Sequence, residues 1–214
     1  MSLKSSLKII LLGTAILVSS IASAAIIKVE DVELNTLELS SGTFKSFYAF
    51  TEHAGNLITW SANTGLEEAN TIVTFFAKVN NDIAMFMIAS GPDGSAGSLD
   101  FDVTASQGSI LFVDDPDNDP VNGSNVSMSY VAGKTDGIIY GKFPVGQWNI
   151  DVLFNSTSGL DSMRFLTFDQ QGQASVALTK DSIQDFSVTS MNITSPSVVM
   201  LFLSMLGFIL IRKK

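Results

Sequence analysis

The chain has 214 residues, 21 acidic side chains against 12 basic ones, a net charge of −9, one histidine and no cysteine. A single histidine excludes a multi-histidine zinc centre, and the lack of thiols excludes cysteine nucleophiles, thiolate metal sites, haem attachment and disulfides. The acidic balance repels phosphate backbones, so nucleic acid is not an expected partner.

Residues 1–24 have the layout of a secretory signal peptide. Lys4 and Lys8 supply a positive start, Ile9 to Val18 is a mostly apolar run of ten residues, and Ala22-Ser23-Ala24 offers signal peptidase small residues, with cleavage expected after Ala24. A retained membrane helix needs about 20 apolar residues, and Ser19 and Ser20 interrupt this one.

From Ala25 to Ser195 the chain has 171 residues, enough for one domain with a proper core. Seven basic residues and all 21 acidic ones fall there, leaving −14. That charge favours solubility and divalent cations, and anionic polysaccharide would bind directly only through a bridging cation. Strands are expected at Ile26–Val32, Phe44–Thr51, Leu57–Ala62, Thr71–Lys78 and Ile83–Ala89, the last two joined as a hairpin through Asn80-Asn81-Asp82. Gly65–Asn70 allows one helical turn; no stretch reads as an amphipathic helix. Leu99, Phe101 and Val103 alternate with Asp100 and Asp102, and Val126, Met128 and Tyr130 alternate with polar residues. Ser109–Val113, Gly137–Phe143, Met163–Phe168, Ala174–Thr179 and Phe186–Thr189 read as further strands. The alternation Trp148, Ile150, Val152, Phe154 is the clearest of all. Turn residues such as Ser41-Gly42, Gly91-Pro92-Asp93-Gly94, Asn122-Gly123, Asp136-Gly137 and Gln171-Gly172 separate them. The expected fold is all-β, an antiparallel β-sandwich or jelly roll over 25–190, flanked by an N-terminal signal helix and a C-terminal hydrophobic helix. Leu39 to Phe50, the later acidic loop and the Gly-Gln-Trp-Asn-Ile strand are faintly similar to the bacterial pre-peptidase C-terminal β-sandwich.

The sharpest local motif is Asp114-Asp115-Pro116-Asp117-Asn118-Asp119-Pro120. Alternate carboxylates on a looping backbone converge on one hard cation, so Asp114, Asp115, Asp117 and Asp119 are candidate Ca²⁺ ligands. The pattern is not an EF-hand, because Pro120 stands where Gly is required and Val126 where Glu is required. The alternative is a solvated acidic loop between two strands. Asp100 and Asp102 share a strand face at a spacing compatible with a glycosidase acid pair, but they read first as the polar outer face opposite Leu99, Phe101 and Val103. His53 reads as a surface turn residue, since no nucleophile elbow accompanies it. Tyr48, Trp60, Tyr130, Tyr140 and Trp148 are the aromatics available for stacking on sugars, with core packing the default for Tyr130 and Trp148. The Asn-x-Ser/Thr triplets at Asn122, Asn125, Asn155 and Asn192 read as chance in a chain rich in serine and asparagine.

At the C-terminal end, Met191–Ser197 reads as a polar tether and 198–214 as a hydrophobic helix with a basic end. No charge occurs between Asp185 and Arg212, and Val198–Ile211 holds one polar residue, Ser204. Fourteen residues of helix cover about 21 Å, short of the ~30 Å hydrocarbon core. Such a helix suits a temporary anchor; a permanent tail anchor is the alternative. Arg212-Lys213-Lys214 should remain on the cytoplasmic side.

Ile193-Thr194-Ser195-Pro196-Ser197, the apolar run and Arg212-Lys213-Lys214 together resemble a PEP-CTERM sorting tail. Pro196 and Ser197 match the end of that motif, while Thr194 and Ser195 depart from its Pro-Glu. The resemblance covers about the last 22 residues. It implies a Gram-negative bacterium, processing by an exosortase-type protease after signal peptidase, and transient residence in the inner membrane. A cell-surface or extracellular destination linked to exopolysaccharide or biofilm matrix follows from it. With no catalytic constellation in the sequence, the expectation is a non-enzymatic envelope or matrix protein; the alternative is a secreted glycan-active hydrolase using surface carboxylates.

Overall fold

A computed structural model of the chain describes residues 25–48, 52–53, 56–57, 62–114 and 119–192. The signal segment, Trp60, Asp115, Asp117 and the whole sorting tail lie outside the described residues. In chain order the elements are β1 (Ala25–Val29), β2 (Val32–Leu34), β3 (Leu37–Glu38), α1 (Phe44–Tyr48), β4 (Glu52–His53), β5 (Asn56–Leu57), β6 (Thr71–Val79), β7 (Asp82–Ala89), β8 (Gly97–Ala105), β9 (Ser109–Val113), β10 (Val121–Asn122), β11 (Asn125–Tyr130), β12 (Asp136–Pro144), β13 (Trp148–Ser158), β14 (Ser162–Phe168), β15 (Ala174–Lys180) and β16 (Phe186–Asn192). Among the described residues no helix is long and apolar enough to cross a membrane.

The protein is all-β and is built on two sheets. The first runs β10-β11-β8-β13-β16-β1-β2, antiparallel throughout. The second runs β15-β14-β6-β7-β12-β9 and is mixed rather than antiparallel, because β14 and the short β3 both pair with β6 in parallel. One core lies between the sheets: Ile27, Leu99, Phe101, Val126, Ile150 and Val188 of the first meet Ile72, Phe76, Met85, Ile138 and Phe165 of the second. Trp148 stacks on Phe143 (4.4 Å between ring centroids) and leans on Phe76 (5.9 Å), and Phe165 meets Phe186 edge-on (4.9 Å).

The two sheets differ in what covers their outer faces. β8 and β13 alternate buried and wet residues, as expected for a sheet with one solvated face. β6 and β7 read as unbroken apolar runs because both of their faces are covered. The outer cover includes α1, whose Phe44 and Phe47 pack edge-on against Phe86; Phe86 in turn stacks on its cross-strand partner Phe75 (4.9 Å).

Four expected elements differ. The segment read as a strand from Phe44 is instead the helix α1. The Thr43 hydroxyl accepts the Ser46 N–H and the Ser46 hydroxyl accepts the Thr43 N–H, a reciprocal cap. Phe44, Phe47 and Tyr48 then fall on one helical face. The strand Ile26–Val32 breaks at Glu30, whose φ of 55° turns the chain into β2. No helical turn forms over 65–70; the Glu67 carboxylate instead gathers the Thr64 and Gly65 N–H groups. Met191 and Asn192, read as tether, belong to β16. The hairpin of β6 and β7 forms as expected, with Asn80 at φ 56° in its turn.

Register gives the two ends of the sheets separate characters. Ala25 pairs with Asn192, so β1 begins and β16 ends side by side. This end, the terminal pole, also carries the turns at 80–81, 106–108, 145–147 and 169–173. The opposite, distal pole carries the turns at 30–31, 90–96, 131–135, 159–161 and 181–185.

Candidate functional site

The acidic motif emerges at the distal pole, where β9 ends and β10 has yet to begin. Asp114 follows the last residue of β9, and its N–H donates to the Gly137 carbonyl (2.9 Å), which keeps it docked against β12. Asp119 precedes Pro120 and β10, and its Oδ1 accepts the Ser129 N–H of β11 (3.2 Å). Both are 1 % exposed. The ends of the motif therefore lie in the protein, unlike those of a freely solvated acidic loop. Asp115 and Asp117, the other two candidate calcium ligands, lie outside the described residues.

A third carboxyl joins them. Asp136, the first residue of β12, is 3 % exposed and shares a hydrogen bond with Asp119. A bond between two carboxyl groups requires a proton on one of them. Burial pushes the Asp136 carboxyl up to about 9, reinforced by the Asp119 charge and that hydrogen bond and by the Asp114 charge. The Gly137 N–H, donating to Asp136 Oδ1 (2.7 Å), opposes the rise. Tyr48, fully buried at the end of α1, donates its hydroxyl to Asp114 Oδ2 (2.9 Å). Burial raises the Tyr48 phenol well above its ordinary value, with the Asp114 charge and hydrogen bond adding to the effect. Thr135, also buried, accepts the Ala62 N–H at its hydroxyl and ties the cover segment to this cluster.

The result is three buried carboxyls, two from the β9–β10 connection and one from the start of β12, with a tyrosine hydroxyl as neutral partner. Such a group has two chemical solutions: hold protons in common, or exchange them for a cation. Among the described residues no group of three or more His, Asp or Glu side chains is gathered in metal-ligating geometry. Asp136 was not singled out by sequence, and Tyr48 was read only as an aromatic available for stacking on sugars. Asp136-Gly137 reads as a turn dipeptide, yet Gly137 has no positive φ. A Cβ there would lie 2.5 Å from the Met87 carbonyl oxygen and 2.9 Å from Tyr48 Oη, so the glycine answers to close packing beside the cluster.

The second carboxylate pair stands on the wet face of the first sheet. Asp100 accepts hydrogen bonds from Ser127, Asn125 (3.1 Å) and Asn155 (2.9 Å). Asp102 accepts from Ser124 (3.1 Å) and Asn155 (3.0 Å). Those donors, Ser127 first, hold the Asp100 carboxyl below its ordinary value. A group kept ionised in this way has the character of the nucleophile or base of a glycosidase pair, not of its protonated acid. Of the stacking candidates, Tyr48, Tyr130, Tyr140 and Trp148 are all buried; Trp60 lies outside the described residues. The backbone at His53 belongs to β4 of the small β4–β5 hairpin, where it pairs with Asn56.

Ala22, Ala24, Pro196, Ser197, Arg212, Lys213 and Lys214 lie outside the described residues. No family model matches this chain, and neither does any curated protein or solved structure.

Proposed function

We propose that this is an exported, non-catalytic envelope or extracellular-matrix protein, delivered by a cleaved signal peptide and processed at its C-terminal tail by an exosortase-type protease. The reading takes the two sheets as a β-sandwich. The observation that carries it is the pairing of Ala25 with Asn192. The folded sheets occupy the interval between the expected cleavage after Ala24 and the Ile193-Thr194-Ser195-Pro196-Ser197 motif. Both sorting segments thus attach to the fold without interrupting it. The test is mass spectrometry of the protein recovered from a Gram-negative host supplying such a protease. The expected product begins at Ala25 and lacks the Arg212-Lys213-Lys214 end; recovery of the intact chain, Met1 to Lys214, from the cytosol would overturn the reading.

The distal acidic cluster supports a second element, a Ca²⁺ site formed by Asp114, Asp115, Asp117 and Asp119 with Asp136 alongside. Ca²⁺ takes six to eight oxygen ligands at 2.3–2.6 Å, and carboxylates that ligate it keep outer hydrogen bonds of the kind Tyr48 and Ser129 supply. With the four described aromatic candidates buried, the route to anionic exopolysaccharide that this reading favours is a divalent cation at the acidic pole. Millimolar Ca²⁺ is expected to raise the melting temperature, and Asp115→Ala/Asp117→Ala to abolish the rise. An unchanged melting temperature in the parent protein would remove the calcium element and leave the export reading standing.

A further inference from the structure

The export reading leaves open how the domain stands relative to the bilayer while its tail is still inserted, and the fold supplies an answer. β16 is paired to its last residue, Asn192, with Ala25 on one side and the start of β13 close by, where Trp148 pairs with Ser190. The Ser190 hydroxyl donates to the Gly146 carbonyl (2.8 Å), and the Gln107 side-chain amide donates to the Gln147 carbonyl (3.2 Å), bracing the neighbouring turns around this exit. Beyond Asn192 only residues 193–197 precede the apolar run. Five residues reach at most about 18 Å even when fully extended. The nine residues of β6 make the sheets about 30 Å long from pole to pole. A tether shorter than the domain is long, leaving from one end of it, restricts which surface can meet the lipid.

Charge selects the same surface. At the distal pole the exposed turns carry Glu30, Asp31, Asp93, Asp161, Asp181 and Asp185 against two cations, Lys134 and the Glu30-paired Lys180, above the buried Asp114, Asp119 and Asp136. At the terminal pole the turns are Asn80-Asn81, Ser106-Gln107-Gly108, Val145-Gly146-Gln147 and 169–173, where Asp169 and the exposed Asp82 at the start of β7 are the acids, with Lys142 nearby on β12. An anionic lipid surface repels the first set and tolerates the second.

We propose that the membrane-inserted precursor rests on the lipid headgroups through its terminal pole, with the acidic pole directed away from the bilayer. The orientation rests on the tail being an anchor. Processing then takes place beneath the domain, in a gap no longer than the tether, and any cation or polysaccharide contact at Asp114–Asp119 faces the periplasmic side throughout.

The chain has no cysteine, so single-cysteine probes are clean. Full-length Asn81→Cys (terminal pole) and Asp181→Cys (distal pole), both at exposed turn positions, would carry a fluorophore. Each would be reconstituted into phosphatidylethanolamine/phosphatidylglycerol vesicles containing headgroup nitroxide lipid. Quenching at residue 81 is expected to exceed that at residue 181 by roughly threefold or more, given ~30 Å between poles and the short range of nitroxide quenching. Equal or reversed quenching in protein that floats with the vesicles would overturn the orientation alone. Protein that fails to float would overturn the anchor reading, and the orientation with it. Unchanged melting of both variants before labelling confirms that the probes sit on the native fold.

Discussion

Replacing Asp136 by asparagine isolates the main electrostatic burden of the distal cluster. In the folded protein this carboxyl is held protonated up to about pH 9, whereas in the unfolded chain it ionises near its ordinary value of 3.8. The folded state therefore binds the additional proton between those values. Its contribution to stability is fully present below about pH 4 and is lost steadily as pH rises toward 9. From 3.8 to pH 7, at 1.36 kcal/mol per pH unit, the loss is at most about 4 kcal/mol. Sharing of the proton with Asp119 and residual compactness of the unfolded chain bring the working figure nearer ~2 kcal/mol. Asparagine keeps the shape, can accept the Gly137 N–H and can donate to Asp119, and carries no charge. Asp136→Asn should match the parent at pH 4–5 and exceed it by ~2 kcal/mol at pH 7–8, a rise in Tm of roughly 4–8 °C for a domain of this size. Thermal and urea unfolding in EDTA-containing buffer across that range would show it. A variant less stable than the parent at pH 8, or a gain independent of pH, would refute the argument that a buried proton limits stability here.

Tyr48→Phe leaves Asp114 without its buried hydroxyl donor and should lose about 1–3 kcal/mol at pH 7, measured as a lower urea midpoint. Gly137→Ala drives a Cβ to 2.5 Å from the Met87 carbonyl oxygen, between two paired strands, and should cost about 1–3 kcal/mol with an unaltered m-value. Phe75→Ala removes a fully buried ring that stacks on Phe86 and touches Phe47 and Phe168, with an expected loss of about 3–5 kcal/mol in the same assay.

Period-two alternation was a sufficient guide wherever one strand face is wet. Leu99, Phe101 and Val103, or Trp148, Ile150 and Val152, point inward with polar neighbours outward, as their spacing implies. Unbroken apolar runs located β6 and β7 but not their surroundings, because period alone does not say what covers the second face. That cover includes α1, whose aromatics at Phe44, Phe47 and Tyr48 were mistaken for strand residues; the Thr43–Ser46 cap is the local signal that separates the two readings. The parallel pairings of β14 and β3 with β6 are long-range choices that no short window encodes. At the distal pole, the acidic run from Asp114 was visible by composition, but burial of its ends was not. Asp136 and Tyr48 reach the cluster from chain positions 22 and 66 residues away from Asp114, through the packing of β12 and α1, so nothing local announces them.

The place of β16 in its sheet sets an order on assembly. Built last, it lies in the interior of the first sheet, between β13 and β1. Until residues 186–192 are present that sheet remains two pieces, a β1–β2 ribbon and the group β10-β11-β8-β13, each with an open edge. A polypeptide emerging from a ribosome or threading a translocation pore thus cannot close its barrier against water halfway through. It stays pliable until its final described strand arrives, and the ribbon and the group are joined in one step.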